Sequence, residues 1–191
     1  DGNDKTITVA DGYTNTYALM YLYAISGKVT IKNLTFDGVK SGAGIWAHDA
    51  DVEIDNCVFQ NGEHTQVQGL VRTTCANLTV KNSQFKNNNC NFAVTFNYDA
   101  AENDTMLVEK CDFVGNTVND TSIVYYVDGA SSTIKDCTFV DNTVKSASHG
   151  AVVYYSNGAN GSLTGNLFSG NKITAGGVRA SVLALEAGTT A

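Results

Sequence analysis

The chain has 191 residues, 43% of them apolar, no proline and a net charge of −7. That apolar share is enough to fill a core and rules out bulk disorder. The acidic balance, with no run of Lys or Arg, argues against a nucleic-acid backbone as partner. The longest apolar run, "YALMYLYAI", falls far short of the roughly 18 residues a membrane helix needs.

The first residues, "DGNDKT", hold no Met and no basic region ahead of an apolar stretch, so they are not a signal peptide. The chain reads as a mature or excised piece of something longer. "KTITVADG" is predicted as the tail of a preceding coil, and "ALMYLYA" (18–24) as a strand. Next comes "VTIKNLTFDGV". Val29 and Ile31 share one strand face, as do Leu34 and Phe36, but the step from Ile31 to Leu34 is three residues. Side chains alternate along a strand, so the parity breaks at Lys32-Asn33. A two-residue bend there lets both halves point their apolar residues inward.

The same motif returns five more times: "IDNCVFQNG", "VKNSQFKNN", "VEKCDFVGN", "IKDCTFVDN" and "LTGNLFSGN". Successive copies start 23, 26, 28, 26 and 29 residues apart, and each places a Phe five residues after its first aliphatic: Phe36, Phe59, Phe85, Phe113, Phe139 and Phe168. The bend position holds Asn33, Asn56, Asn82, Lys110, Asp136 and Gly165, mostly types that accept a left-handed backbone. A further apolar stretch precedes each later motif: "GAGIWAH", "GLVRTT", "FAVTFNY", "SIVYYVD" and "GAVVYYS"; "RASVLALE" follows the last. No segment carries a helical period with caps.

Three short strands per period and an identical column predict an all-β chain, a right-handed parallel β-helix. About seven coils at roughly 4.8 Å each make a rod on the order of 34 Å long. A β-sandwich would instead show hairpin turns and no such column. Residues 1–191 are expected to form one domain, a slice of a longer surface protein. The last segment reads as the first strand of a motif that does not follow. Bare coil ends expose unpaired backbone, so end-to-end self-association into a fibre is one expectation for an isolated subunit.

Five cysteines cannot all pair within the chain. Cys57, Cys111 and Cys137 hold one repeat position, shared with Leu34, Ser83 and Asn166. Packed free thiols are the preferred reading; a Cys111–Cys137 disulfide across neighbouring coils is the alternative. Cys75 and Cys90 follow no pattern. A ladder spreads its groups along a line, so no metal site is expected, and no cofactor motif is present.

For catalysis the candidates are His48, Asp49, Arg72, Asp99 and Asp128, all in or just after the third strands. His48 and Asp49 are expected on opposite sides of a strand. Paired carboxyls on one sheet would suit a polysaccharide hydrolase or lyase. For binding, counting back four from the small residue closing each third strand gives Tyr23, Trp46, Arg72, Tyr126 and Tyr155. An unpaired Arg is costly to bury, so this column is expected to face outward as an aromatic ladder for a glycan or protein partner. Leu22, Ile45, Val71, Tyr125 and Tyr154 would then face inward. N-x-[ST] sequons begin at Asn33, Asn77, Asn103, Asn119 and Asn160, with Asn103 and Asn119 the better-placed acceptors.

"CDFVGNT" and "CTFVDNT", each followed by a strand such as "SIVYYV" or "GAVVYY", resemble the repeats of adhesin-like surface proteins of methanogenic archaea. Polymorphic outer-membrane proteins of bacteria use related Phe-x-x-Asn repeats. The resemblance runs from about Thr6 to the end. It departs where many bacterial relatives keep a tight Gly-Gly-Ala-Ile strand. It implies a β-helix displayed outside the cell, adhesion to a glycan or to a surface protein of another cell, and an anaerobic owner in keeping with reduced thiols. It fixes no ligand residues.

Overall fold

A computed structural model describes residues 1–191 apart from 11–12, 14–16, 41, 64–68, 97–102, 128–130, 146–148, 157–159, 175–178 and 186–191. Among the described residues there is no helix, and the strands stack in parallel sheets, each pairing with its counterpart one coil away. A first sheet holds the strand before the bend: Val29–Lys32, Val52–Asp55, Leu78–Lys81, Thr105–Glu109, Ser131–Lys135 and Gly161–Thr164. A second holds the strand after it, which carries the Phe: Leu34–Asp37, Val58–Gln60, Gln84–Lys86, Asp112–Val114, Thr138–Val140 and Leu167–Ser169, with Lys5–Thr8 at one edge. The third contains Ala18–Tyr23, Ala43–His48, Gly69–Thr74, Phe92–Phe96, Ser122–Val127, His149–Ser156 and Arg179–Leu185. Six coils therefore contribute to all three sheets. The later coils add a two-residue strand, from Asn89–Cys90 to Lys172–Ile173.

The bends lie where the parity break puts them. Asn33, Asn56, Asn82, Lys110, Asp136 and Gly165 all take positive φ, from 50° to 68°. The column after each bend closes it. Cys57, Cys111 and Cys137 are free, buried thiols whose Sγ donates to the carbonyl two residues back, at 3.5, 3.3 and 3.2 Å. Ser83 makes the same bond to Lys81 at 2.7 Å. Asn166 reaches instead to the Ile134 carbonyl at 2.8 Å. Cys, Ser and Asn all serve here because each adds a side-chain hydrogen bond to a main-chain carbonyl at the bend; the Asp55, Lys81, Glu109 and Lys135 carbonyls also accept a backbone N–H from the adjoining coil.

The Phe column is a continuous stack. Neighbouring rings from Phe36 to Phe168 lie 4.7–4.9 Å apart and within 6° of parallel. Three residues beyond the Phe runs an asparagine ladder: Asn88, Asn116 and Asn142, all buried, and the half-buried Asn171. Asn116 Nδ2 donates to the Phe85 carbonyl at 2.8 Å and to Asn142 Oδ1 at 3.0 Å. Its Oδ1 accepts from the backbone N–H and the Nδ2 of Asn88, at 3.1 and 2.9 Å. Asn142 repeats the pattern with Phe113 and Asn171.

The third sheet breaks alternation once. Leu70 and Val71, Ile123 and Val124, and Val152 and Val153 are adjacent pairs buried together. Beyond that break Ala47, Thr73, Phe96, Tyr126 and Tyr155 form the inner column. The outer column runs Tyr21–Trp46–Arg72–Thr95–Tyr125–Tyr154. Tyr126 and Tyr155 are thus core residues, fully buried, and not part of an outward ladder. Tyr155 fills a hole opposite: its hydroxyl meets Ser132 Oγ at 2.8 Å, and a Cβ on Gly161 would sit 2.5 Å from its ring. The small residues Ser132 and Gly161 stand where Val52 and Leu78 stand in earlier coils.

The register explains the slip. From the outer column to the matching inward residue of the first sheet, the chain takes eight residues in one coil (Tyr21 to Val29). It takes six in the next two (Trp46 to Val52, Arg72 to Leu78). It then takes eleven (Thr95 to Met106) and seven (Tyr125 to Ser132, Tyr154 to Gly161). Counting back from that corner cannot keep one face. Tyr125 and Tyr154, expected inside, belong to the outer column.

The outer side of the first sheet is self-neutralised. Lys32, Asp55, Lys81, Glu109 and Lys135 follow each other in register. Lys81 lies 2.8 Å from Glu53 and Lys135 3.1 Å from Glu109. Hydrogen bonds from Lys28 and Lys81 hold the Glu53 carboxyl at about 2.

Two outcomes follow from this fold. Asn116→Ala leaves the buried Asn88 N–H without its partner and removes the side-chain bonds to the Phe85 carbonyl and to Asn142, at about 1–3 kcal/mol per unsatisfied group. The urea midpoint should drop by the equivalent of about 2–4 kcal/mol; an unchanged midpoint would show that the ladder is not structural. Glu53 has a folded-state value below its unfolded one, so its contribution is present above pH ~4.5 and is lost as the pH falls towards 2. Glu53→Gln should flatten the acid side of the stability curve measured by thermal melting.

Candidate binding face

Within the outer side of the third sheet, the coils nearest the N-terminus carry most of the exposed aromatic surface. Tyr21 pairs with Trp46, and Trp46 with Arg72; Tyr23 pairs with His48, and His48 with Thr74. Alternation alone puts both rows outside, since Ile45 and Ala47 between them are fully buried. Tyr17, just before its strand, joins the group. Tyr17, Tyr21 and Tyr23 are 59%, 46% and 57% exposed, far more than tyrosines left over from a core.

The rings form one connected surface. Tyr17 stacks along Trp46 at 6.0 Å and 15°, and Tyr21 tilts onto Trp46 at 5.1 Å. Tyr21 also stacks with Tyr23 at 6.0 Å, and Tyr23 meets His48 at 5.2 Å. The Arg72 guanidinium lies over the Trp46 ring, 4.6 Å from its centre. The Trp46 indole N–H donates to Thr74 Oγ1 at 3.2 Å, which fixes the ring. Farther along the row the surface closes: Tyr125 is half-buried against Phe92, and Tyr154 is only 3% exposed.

Of the residues expected to bind, Tyr23, Trp46 and Arg72 come together here, while Tyr126 and Tyr155 do not. Tyr17 and Tyr21 were missed. Strand parity applied to "ALMYLYA", in place of counting from the corner, would have aligned Tyr21 with Trp46. Among the catalytic candidates, Asp99 and Asp128 lie outside the described residues. His48 and Asp49 are not on opposite sides. Asp49 follows the strand at φ 51°, and its carboxylate returns to 3.7 Å from His48 Nε2. Cys75 occupies the corresponding left-handed position one coil on, at φ 53°. The ligand atoms of His48, Asp49 and Cys75 lie within 4.8 Å of one another. Sequence spacing gave no hint of this convergence, since these groups reach it from two coils.

Burial pushes the pKa of Cys90 up to about 12 and raises those of Cys57 and Cys111, which makes these three poor nucleophiles, whereas the hydrogen bond with Cys111 lowers that of Cys137. Among the described residues no helix is long and apolar enough to cross a membrane. The outer columns of the third sheet show Tyr, Trp, His, Arg, Thr and Ala, and among the described residues no carboxylate.

Parallel sheets joined by left-handed bends, with an internal Phe stack, define a single-chain β-solenoid. A family model described as a right handed beta helix region matches residues 21–186, and the chain belongs to that family. No curated protein and no solved structure matches it.

Proposed function

We propose that this β-helix is an extracellular, adhesin-like binding module that holds a glycan of another surface against the rings of Tyr17, Tyr21, Tyr23 and Trp46. The observation that carries the reading is their connected exposure on one face of a rigid sheet, with Arg72 and His48 at the edges. Aromatic faces stack on the apolar side of sugar rings while their hydroxyls hydrogen-bond. Arg72 adds a charge suited to an acidic sugar. The neighbouring first sheet, by contrast, answers its own charges from within. The reading is one of binding rather than turnover. Cell-surface display is the part of the reading that rests on the resemblance of the repeats.

Trp46 is the only tryptophan in the chain, so its fluorescence reports directly on this face. A glycan array should identify ligands, and titrating them should shift or quench the emission. Tyr21→Ala should weaken binding by about 2–13-fold, the equivalent of about 0.5–1.5 kcal/mol for one ring contact. Trp46→Ala, followed by calorimetry, should cost at least as much. Binding that survives both substitutions unchanged would place the ligand elsewhere.

A further inference from the structure

The side chains of His48, Asp49 and Cys75 meet at the corner where the third sheet ends. Tyr23–His48–Thr74 is a register row. The next residues, Ala24, Asp49 and Cys75, all turn left-handed, with φ of 51°, 51° and 53°. Asp49 N–H donates to the Thr74 carbonyl at 3.0 Å, so the corners stack like the strands. Asp49 and Cys75 therefore project from equivalent points one coil apart, and His48 leans over them. Its imidazole is held between Tyr23 at 5.2 Å and Trp46 at 6.4 Å.

From this geometry we infer a site for a borderline-soft divalent metal, Zn²⁺ or a close substitute, ligated by His48 Nε2, an Asp49 carboxylate oxygen and Cys75 Sγ. A tetrahedral zinc with bonds of about 2.0–2.3 Å sets its ligand atoms roughly 3.3–3.8 Å apart. His48 Nε2 and Asp49 Oδ2 are already 3.7 Å apart, and all three groups lie within 4.8 Å. Closing the set takes a shift of about 1 Å, within ordinary rotamer freedom. A thiolate beside an imidazole selects Zn²⁺, Co²⁺ or Fe²⁺ over Ca²⁺ and Mg²⁺. Binding displaces the Cys75 thiol proton to solvent, so the site takes up metal and releases one proton. Three protein ligands leave a fourth position open for water or for an oxygen of a molecule lying on the adjacent rings. The site stands without the glycan reading.

Native-state thiol labelling isolates Cys75, because Cys57, Cys90, Cys111 and Cys137 are buried and Cys75 is half-buried. One equivalent of Zn²⁺ should protect that single reactive thiol from an aromatic disulfide reagent, and Ca²⁺ should not. Co²⁺ should give a near-ultraviolet thiolate-to-metal band. Cys75→Gly keeps the positive φ without strain and should fold normally while losing the band. His48→Gln should weaken affinity by more than the roughly 10–100-fold that loss of a supporting outer group costs. The proposal is overturned if Zn²⁺ leaves the thiol reactive. A Co²⁺ band that persists in Cys75→Gly, or protection unaltered by His48→Gln, overturns it too.

Discussion

The buried asparagine ladder is the constraint on which the rod depends. A primary amide in a dry interior has two donors and an acceptor, and each unmet group is costly. Asn88, Asn116 and Asn142 meet theirs only because the same side chain lies one coil above and a Phe carbonyl one coil below. The ladder therefore accepts a single register. The Phe stack, three residues away, is set by the same spacing, and hydrophobic burial supplies the bulk of the stabilisation. Burial drives the coils together; the amides decide how they align.

With the register settled inside, the outside becomes a set of independent columns. On the first sheet these columns alternate in charge and answer one another between coils. On the third they gather tyrosines and the tryptophan at one end. The hollow decides how many aromatics can be outside at all. Where the first sheet offers Ser132 and Gly161, a tyrosine from the third sheet is drawn in to fill the space. Where it offers Val52 and Leu78, the inner position shrinks to Ala47 and Thr73, and Trp46 and Arg72 lie outside. For these four coils the inner position is large where the facing column is small, and small where it is large; Phe96, buried in the coil of Met106, departs from that trade.

This shows why the fold was legible and the face only partly so. The Phe column, the parity break and the left-handed types at Asn33, Asn56 and Asn82 all lie within ten residues, where spacing is rigid. Trp46, Arg72 and Tyr23 came from the count back from the corner, read outward because an unpaired Arg is costly to bury. Tyr126 and Tyr155 were misplaced because the count began from a corner whose length varies. The missing clue was the drop in size at Ser132 and Gly161 within an otherwise bulky column. The meeting of Asp49 with Cys75 escaped for a different reason. Both sit at positive φ after the strand, a conformation that Cys seldom adopts, and there strand alternation says nothing about direction.

That corner has an evolutionary consequence. The chain crosses it in as few as six residues or as many as eleven, and the strands on both sides keep their pairing. Differences in length at this edge leave the strand pairing in place, as do those between the second and third sheets, where the chain takes nine residues from Phe36 to Ile45 and fourteen from Phe139 to Val153. Those at this edge are fully visible to selection for what the edge touches. The row of corners beside the aromatic face is thus a strip where the lineage can vary a contact surface, coil by coil, at little risk to the rod that carries it.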